Sequence, residues 1–224
     1  KIVDAGFDIS NEAFPFMACG SITVCGGLRA RLFRISFSGE LAYEIAVPTR
    51  YGDAMIRALI EAGEEFGGCA YGTEALGVMR IEKGHATGNE LNGTTTALNL
   101  GMDRLVSTQK DSIGAVLSRR DGLTGDDVLK LVGFKPCRTS DPVPAGSHLM
   151  TKGSPIDAKH DQGYVTSACY SPTLGHHIAI GFLKAGDQRL GEIVRLVSPL
   201  TNIEHDVEVV SAHFVDPEGD KLRA

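Results

Sequence analysis

The chain has 224 residues, of which 42% are hydrophobic and 22% are charged, as in ordinary folded globular proteins. Its net charge of −6 argues against general affinity for nucleic acid or anionic membranes, because both require excess lysine and arginine. No apolar run approaches the roughly 20 residues of a membrane-spanning helix. We therefore expect a protein that binds neither nucleic acid nor membrane, and the scattered cysteines, typical of reduced thiols, predict a cytoplasmic location.

The first half of the chain predicts strands followed by helices. Residues 1–27 contain no long periodic segment. Alternating apolar residues from Leu28 to Phe37 predict a strand, and Gly39 permits a tight turn into a second strand that carries Glu44. Thr49 is the candidate N-cap of a helix with an apolar stripe beyond it.

Two further helices are predicted before residue 120. One begins at Thr73 and ends at Lys83, where a basic residue precedes Gly84 at a typical C-terminal position. A loop rich in glycine and threonine follows over residues 88–96. Asp111 is the candidate cap of the last helix, which is short.

The second half of the chain has a different pattern, with short runs rich in valine and isoleucine between Gly, Pro, Asp and Asn residues. These runs lie at residues 128–134, 163–170, 178–183, 193–197 and 207–214. They predict an antiparallel barrel or sandwich. The predicted fold class is therefore α+β, with an α/β part over residues 1–120 and an antiparallel β domain over residues 121–224.

Glu44 is the candidate functional residue that the pattern singles out. It follows Tyr43 within an apolar strand, where an unpaired buried charge is costly, so its carboxylate is expected to face a specific partner. The residues alone leave two interpretations open. Glu44 contacts a ligand, or it is a strand acid that is either exposed or paired with Arg31, Arg34 or Arg80.

Motifs for metal, nucleophile and dinucleotide sites do not occur in the sequence. The cysteines are five in number and never spaced as C-x-x-C, which favours reduced thiols that pack as small buried residues. The seven histidines show no H-x-x-x-H spacing, so no metal site is predicted. No G-x-S-x-G elbow and no G-x-G-x-x-G after a strand occurs, so neither a serine nucleophile nor a dinucleotide site is predicted.

Four ordered segments carry a family pattern. Residues 34–45, R-I-S-F-S-G-E-L-A-Y-E-I, match R-I-S-Y-T-G-E-x-G-Y-E-I, and residues 79–84 with 88–91 match L-R-L-E-A-G and Y-G-H-E-L. Residues 110–114 match K-x-D-F-I-G, and residues 163–175 match G-x-V-T-S-G-x-x-S-P-T-L. In this the chain resembles the folate-dependent aminomethyltransferases, whose best-known member is the T-protein of the glycine cleavage system.

Within that family the similarity is greatest to the branch formed by the alpha subunits of heterotetrameric sarcosine oxidases. Leu76 and Gly77 stand where the T-protein has an arginine and an aspartate of its own motif. This resemblance implies a tetrahydrofolate-binding portion of an enzyme that demethylates sarcosine oxidatively to glycine and transfers the one-carbon unit to tetrahydrofolate. It implies other sarcosine oxidase subunits as partners, with any flavin or NAD bound outside these residues.

The resemblance also implies site residues. Glu44 matches the position that accepts two neighbouring N–H groups of the pterin, an arrangement that a carboxylate binds with strong bidentate geometry. Tyr43 and Arg80 are further candidate folate contacts. Tyr43 is otherwise a core residue, and Arg80, a candidate for the glutamyl tail, otherwise pairs with Glu82 or Glu40. No catalytic residue is assigned, because the family's acid near the folate nitrogen would precede Lys1. We expect residues 1–224 alone to be inactive as an oxidase.

Two alternatives remain at this point. One is a stand-alone folate-dependent aminomethyltransferase or demethylase. The other is a non-catalytic folate-binding module for iron–sulfur assembly, because residues 83–90, K-G-H-A-T-G-N-E, resemble the signature K-G-C-Y-x-G-Q-E. His85 replaces the cysteine of that signature, which counts against the second alternative.

Overall fold

A computed structural model describes all of residues 1–224, which form a mixed α+β fold with a closed antiparallel barrel. The chain divides into one unit of Lys1–Met79 with Asp216–Ala224 and a second unit of Arg80–Val215. The predicted fold class is confirmed. The domain boundary predicted near residue 120 from the change in composition stays a prediction.

The first unit contains a three-stranded antiparallel sheet in the order β1-β2-β3. Its strands are β1 (Cys19–Val24), β2 (Leu28–Phe33) and β3 (Glu44–Ala46). The absence of any predicted element in residues 1–27 was wrong, because β1 is only six residues long and too short to show a long periodic pattern.

The sheet has one covered and one open face. Residues directly opposite each other on antiparallel strands point to the same face. Ile22 lies opposite Ala30 on the covered face, and Leu32 lies opposite Ile45. These side chains pack with Met55 of helix α1 (Gly52–Glu64) in one hydrophobic cluster. The alternate residues of all three strands form the open face.

Strand β2 ends at Phe33, four residues earlier than predicted. Arg34 continues the inward-facing series of Ala30 and Leu32 and is 1% exposed. Its Nη1 donates a hydrogen bond of 3.1 Å to the carbonyl of Phe14, and its guanidinium lies 5.3 Å from the centre of the Tyr43 ring. A strand residue that alternated outward could not make these contacts.

The helices agree only partly with prediction. Thr49 does not cap α1, which begins at Gly52 after a short 3-10 turn and has no side-chain cap. Helix α2 (Thr73–Lys83) has the predicted bounds. The helix predicted after Asp111 is absent, and this region contains only a three-residue 3-10 turn at Leu117–Arg119.

Gly84 ends α2 with φ of +78°, a left-handed conformation that favours glycine. A Cβ atom at this position would lie 2.5 Å from the carbonyl oxygen of Ala212. The glycine therefore supplies both the turn and the close approach of these two segments.

The second unit is built on a closed six-stranded barrel in the order β4-β7-β6-β5-β8-β9. Its strands are β4 (Leu129–Pro136), β5 (His148–Met150), β6 (Asp161–Ser171), β7 (His176–Lys184), β8 (Ile193–Ser198) and β9 (Ile203–Val210). Five of the six strands were predicted with shifted ends, and β5 was missed because it has three residues. Phe134 and Leu196 are fully buried in the barrel core. No helix is long and apolar enough to cross a membrane.

The cysteines do not have the predicted environment. All five are free, and four are exposed, while Cys169 is half-buried. The expectation that they pack as small buried residues was wrong for Cys19, Cys25, Cys69 and Cys137.

Candidate functional site

Glu44 is the first residue of β3 and lies on the open face of the sheet, directly opposite Phe33. It is exposed, and no protein group forms a hydrogen bond or an ion pair with its carboxylate. The expectation of an acid within buried apolar surroundings was wrong. Strand side chains alternate between faces, so the inward positions of Tyr43 and Ile45 direct Glu44 outward.

The open face leaves both carboxylate oxygens of Glu44 available to a ligand. An ionised carboxylate only accepts hydrogen bonds, and two parallel N–H donors satisfy it best. None of the predicted protein partners, Arg31, Arg34 or Arg80, pairs with it. Glu44 is therefore the exposed acid that the second interpretation allowed, and its contact with a ligand stays a prediction.

Tyr43 is held firmly beside this acid. Its hydroxyl donates a hydrogen bond of 3.0 Å to the carbonyl of Ile9, and its ring packs on the guanidinium of Arg34. Tyr43 also packs against the hydrophobic cluster of the sheet, as the core interpretation predicted. These contacts fix the backbone just before Glu44, and a direct contact of Tyr43 with folate stays a prediction.

Two depressions flank β3, and neither includes Glu44 in its lining. A cleft of about 560 Å³ lies on the covered side and is lined mostly by apolar residues, including Leu32, Tyr43 and Ile45. A groove of about 390 Å³ includes Arg29 and Arg31 of the open face in its lining. The groove therefore has the polar character that the cleft lacks.

Arg80 belongs to a buried polar network in the second unit. Its Nη1 donates to Glu90 Oε2 at 3.1 Å, and its Nη2 donates to Ser167 Oγ at 2.7 Å. Ser167 in turn donates to Glu90 Oε1 at 2.7 Å. The expected pairing with Glu82 or Glu40 was wrong. A contact between Arg80 and a glutamyl tail stays a prediction, and it would have to replace these bonds.

Glu90 is the centre of this network and is 0% exposed. Burial by itself raises the pKa of the Glu90 carboxyl, but hydrogen bonds from Thr166, Ser167 and the backbone N–H of Thr87, together with the charge of Arg80, outweigh it. The pKa therefore lies below the ordinary value of 4.5. The Glu90 carboxyl is thus ionised at neutral pH, and its negative charge lies against the guanidinium of Arg80.

A second buried acid is satisfied in the same unit. Ser171 donates a hydrogen bond of 2.5 Å to Glu82 Oε1, and its hydroxyl accepts from the backbone N–H of Leu174 at 3.0 Å. The carbonyl of Glu82 also accepts hydrogen bonds of 2.9 Å from the backbone N–H groups of Phe214 and Val215. These bonds join the end of α2 to the segment that follows the barrel.

Sequence reasoning did not identify the role of Glu90, Ser167 or Ser171. A usable signal was present, since all three lie in the second and fourth motif segments. A charged residue in one motif and a serine in another are as compatible with a buried hydrogen-bonded pair as with a ligand site, because buried polar groups require hydrogen-bond partners. The structure assigns these motif residues to the stability of the barrel unit.

Comparison with known proteins gives matches along most of the chain. The model of the GCVT N-terminal domain matches residues 1–110, and that of the glycine cleavage T-protein C-terminal barrel domain matches residues 130–216. The sarcosine oxidase subunit alpha of Rhizobium meliloti is 45% identical over 99% of this chain and 22% of its own length. The aminomethyltransferase of Halothermothrix orenii is 32% identical over 96% of this chain and 58% of its own length.

The solved structures include a similar fold. The crystal structure of glycine cleavage system aminomethyltransferase T from Bartonella henselae superposes with a TM-score of 0.68. The superposition covers 84% of this chain and 50% of that chain at 23% sequence identity, so it shows likeness of fold alone. The chain spans only 22% of the length of the Rhizobium meliloti subunit.

Proposed function

Because the chain belongs to the glycine cleavage T-protein family, we propose that it is the tetrahydrofolate-binding portion of a sarcosine oxidase alpha subunit. The observation that carries this proposal is the 45% identity with the Rhizobium meliloti subunit across 99% of the chain. The proposed reaction is oxidative demethylation of sarcosine to glycine, with transfer of the one-carbon unit to tetrahydrofolate. The proposed partners are the other subunits of such an oxidase, and any flavin or NAD is proposed to bind outside these residues.

Glu44 is the proposed contact to the pterin. Its unpartnered carboxylate on the open sheet face fits a ligand that presents an N–H and an amino group side by side. Bound tetrahydrofolate supplies the nucleophilic N5 that takes up the one-carbon unit. The contribution of this chain is to orient the pterin through Glu44, whose preceding residue Tyr43 is fixed by Ile9 and Arg34.

The contact also provides selectivity. A ligand that presents only one donor should bind more weakly, because it forms one charge-assisted hydrogen bond with Glu44 in place of two.

The proposal is tested with Glu44→Gln in the intact native protein, purified with its copurifying subunits. The amide offers one acceptor and one donor group, so it cannot accept both pterin donors. We expect tetrahydrofolate binding to weaken roughly 10- to 150-fold, corresponding to the loss of a charged hydrogen bond of about 1.5–3 kcal/mol. Titration calorimetry measures the change. Glu61→Gln, on an exposed position of α1, is the matched control and should leave the affinity unchanged.

A product assay separates folate capture from oxidation. In Glu44→Gln, sarcosine should still be consumed at the normal rate, but formaldehyde should be released in place of methylenetetrahydrofolate. Unchanged folate affinity in this variant would remove Glu44 from the site. Absence of any sarcosine-dependent oxygen consumption, together with folate-dependent transfer from an aminomethyl donor, would favour the aminomethyltransferase alternative. That alternative has its own support in the 32% identity with the Halothermothrix orenii enzyme.

A further inference from the structure

Arg34 is a buried cation in the first unit, close to the strand that carries Glu44. The residue is 1% exposed, and an arginine side chain remains charged inside a protein. Its guanidinium donates hydrogen bonds to the side-chain oxygen of Asn11, the carbonyl of Phe14 and the backbone oxygen of Ala224. None of these acceptors is an aspartate or glutamate side chain, and the Nε atom is buried without a hydrogen-bond partner. Burial of a cation without an acidic side chain beside it is costly, so stability alone does not account for this arginine.

The pairing between β2 and β3 is short and ends at Glu44. Only three residues of β3 pair with β2, and Glu44 opposite Phe33 is the terminal pair. The end of such a short ladder opens easily unless the residues beyond it are held. Arg34 and Tyr43 are the residues beyond it, and the guanidinium lies 5.3 Å from the centre of the Tyr43 ring. A contact between these two side chains therefore continues the pairing on the covered face.

The backbone of Arg34 is fixed from the other side of β2. Its N–H donates to the carbonyl of Ala18 at 2.9 Å, and its carbonyl accepts from the N–H of Met17 at 2.8 Å. Both bonds join Arg34 to the segment that leads into β1. Its backbone groups are therefore used on the β1 side, and only its side chain reaches Tyr43 on the β3 side.

We propose that Arg34 is a positioning residue for Glu44 and acts through Tyr43. This inference rests on the proposed function, in which Glu44 accepts the two donors of the pterin. The guanidinium holds the Tyr43 ring on the covered face, and successive strand residues point to opposite faces, so Glu44 is directed outward. An acceptor that is already oriented loses less conformational freedom on binding, which increases affinity. Arg34 itself is buried and does not contact the ligand.

The test compares dissociation constants for tetrahydrofolate in the intact native protein, purified with its copurifying subunits. Arg34→Met keeps a long side chain but removes the cation from the Tyr43 ring, and the constant should rise about 10-fold. Arg34→Lys keeps a cation without the planar fork and should raise the constant less, about threefold. The matched control is Arg57→Met, which removes an exposed arginine of α1 that pairs with Asp53 at 2.9 Å. It should leave the constant unchanged.

A double-mutant cycle with Glu44→Gln distinguishes positioning from a general loss of structure. If Arg34 acts by orienting the Glu44 carboxylate, adding Arg34→Met to Glu44→Gln should change the affinity less than about twofold. An equal 10-fold loss in both backgrounds would overturn the inference, because Arg34 would then act independently of Glu44. Equal losses in Arg34→Met and Arg34→Lys would also overturn it, because the cation at the Tyr43 ring would then have no effect.

Two further measurements keep the inference separate from folding and from the proposed function. Circular dichroism verifies that each variant is folded, and if Arg34→Met does not fold, Arg34→Lys is used in the same cycle, with its threefold loss expected only when Glu44 is present. If Glu44→Gln weakens folate binding but the Arg34 variants do not, the inference fails and the proposed function stands. If Glu44→Gln leaves the affinity unchanged, both the proposed pterin contact and the inference fail.

Discussion

The sheet of the first unit and the barrel unit differ in whether their charged residues have protein partners. On the open face of the sheet, Glu44, Arg29 and Arg31 are exposed and have no protein partner. In the barrel unit, the buried Arg80 and Glu90 satisfy each other, with Ser167 closing the network. Buried polar groups require partners, whereas solvated ones remain available to ligands.

The difference follows from topology. Ser167 lies opposite Ile180, which packs with Ile81 of α2 and not in the barrel core, so α2 buries the Arg80–Glu90 network against the outer side of the barrel, where each charge requires a partner within the chain. A three-stranded open sheet covers only one of its faces. The charges of the barrel unit should therefore act mainly on stability, and those of the sheet mainly on binding.

The largest effect is expected from Glu90→Gln in the barrel unit. The amide leaves the buried guanidinium of Arg80 without its counter-charge, and breaking one side of a buried ion pair costs about 3–5 kcal/mol. Denaturant-induced unfolding measures the loss in the free energy of unfolding. The matched control is Glu204→Gln, because Glu204 is exposed and pairs at the surface with Arg195 at 3.3 Å.

The control should cost about 0–1 kcal/mol, as surface ion pairs do. Ser167→Ala combined with Glu90→Gln should show a non-additive loss, because the two residues share one hydrogen bond. Equal destabilisation by Glu90→Gln and Glu204→Gln would contradict the distinction between the buried network and the surface.

A smaller effect on stability is expected when the pH is lowered. The pKa of Glu90 is lowered in the folded protein, so its contribution to stability is fully present above the unfolded value near 4.5. The contribution is lost as the pH falls from there through the folded pKa. The stability difference between wild type and Glu90→Gln should therefore be constant from pH 7 to about 5 and should narrow below 4.5. A difference that widens with acid would contradict the assigned direction.

The two regions also differ in how far the sequence determines them. The barrel strands were recognisable because valine and isoleucine recur between turn residues, and only the three-residue β5 escaped. The sheet was harder to predict, since β1 is short and β2 ends at Phe33 although the inward alternation continues to Arg34. The hydrogen bond from Arg34 to Phe14 joins residues 20 positions apart, and no local pattern reveals it.

The candidate site shows the same limit. The motif identified Glu44, but the buried surroundings expected for it were wrong, because it faces away from Tyr43 and Ile45. The partner of Arg80 was not predictable by spacing, because the contact with Ser167 joins residues 87 positions apart. The contact between Arg34 and Tyr43 becomes visible only when the register of β2 and β3 is known.

The smallest expected effect concerns the chemical reactivity of the cysteine thiols in the two units. Burial, and then the negative charge of Glu82, raise the pKa of the Cys169 thiol to about 11, against an ordinary value of 9.0. Because the thiolate is the reactive form, this shift lowers the reactive fraction about 100-fold at pH 8. Mass spectrometry after iodoacetamide treatment should show Cys169 alkylated far more slowly than the exposed Cys69 of the first unit.

Cys137 distinguishes the pKa from simple accessibility in this experiment. It is exposed like Cys69, but burial of its thiol and the charges of Asp206 and Glu208 raise its pKa. If accessibility alone set the rate, Cys137 and Cys69 would be alkylated together. We expect Cys137 to react more slowly than Cys69 at pH 8, and to approach its rate as the pH is raised, because the thiolate fraction then becomes equal. Equal rates at pH 8 would show that the acids around Cys137 do not act on its thiol.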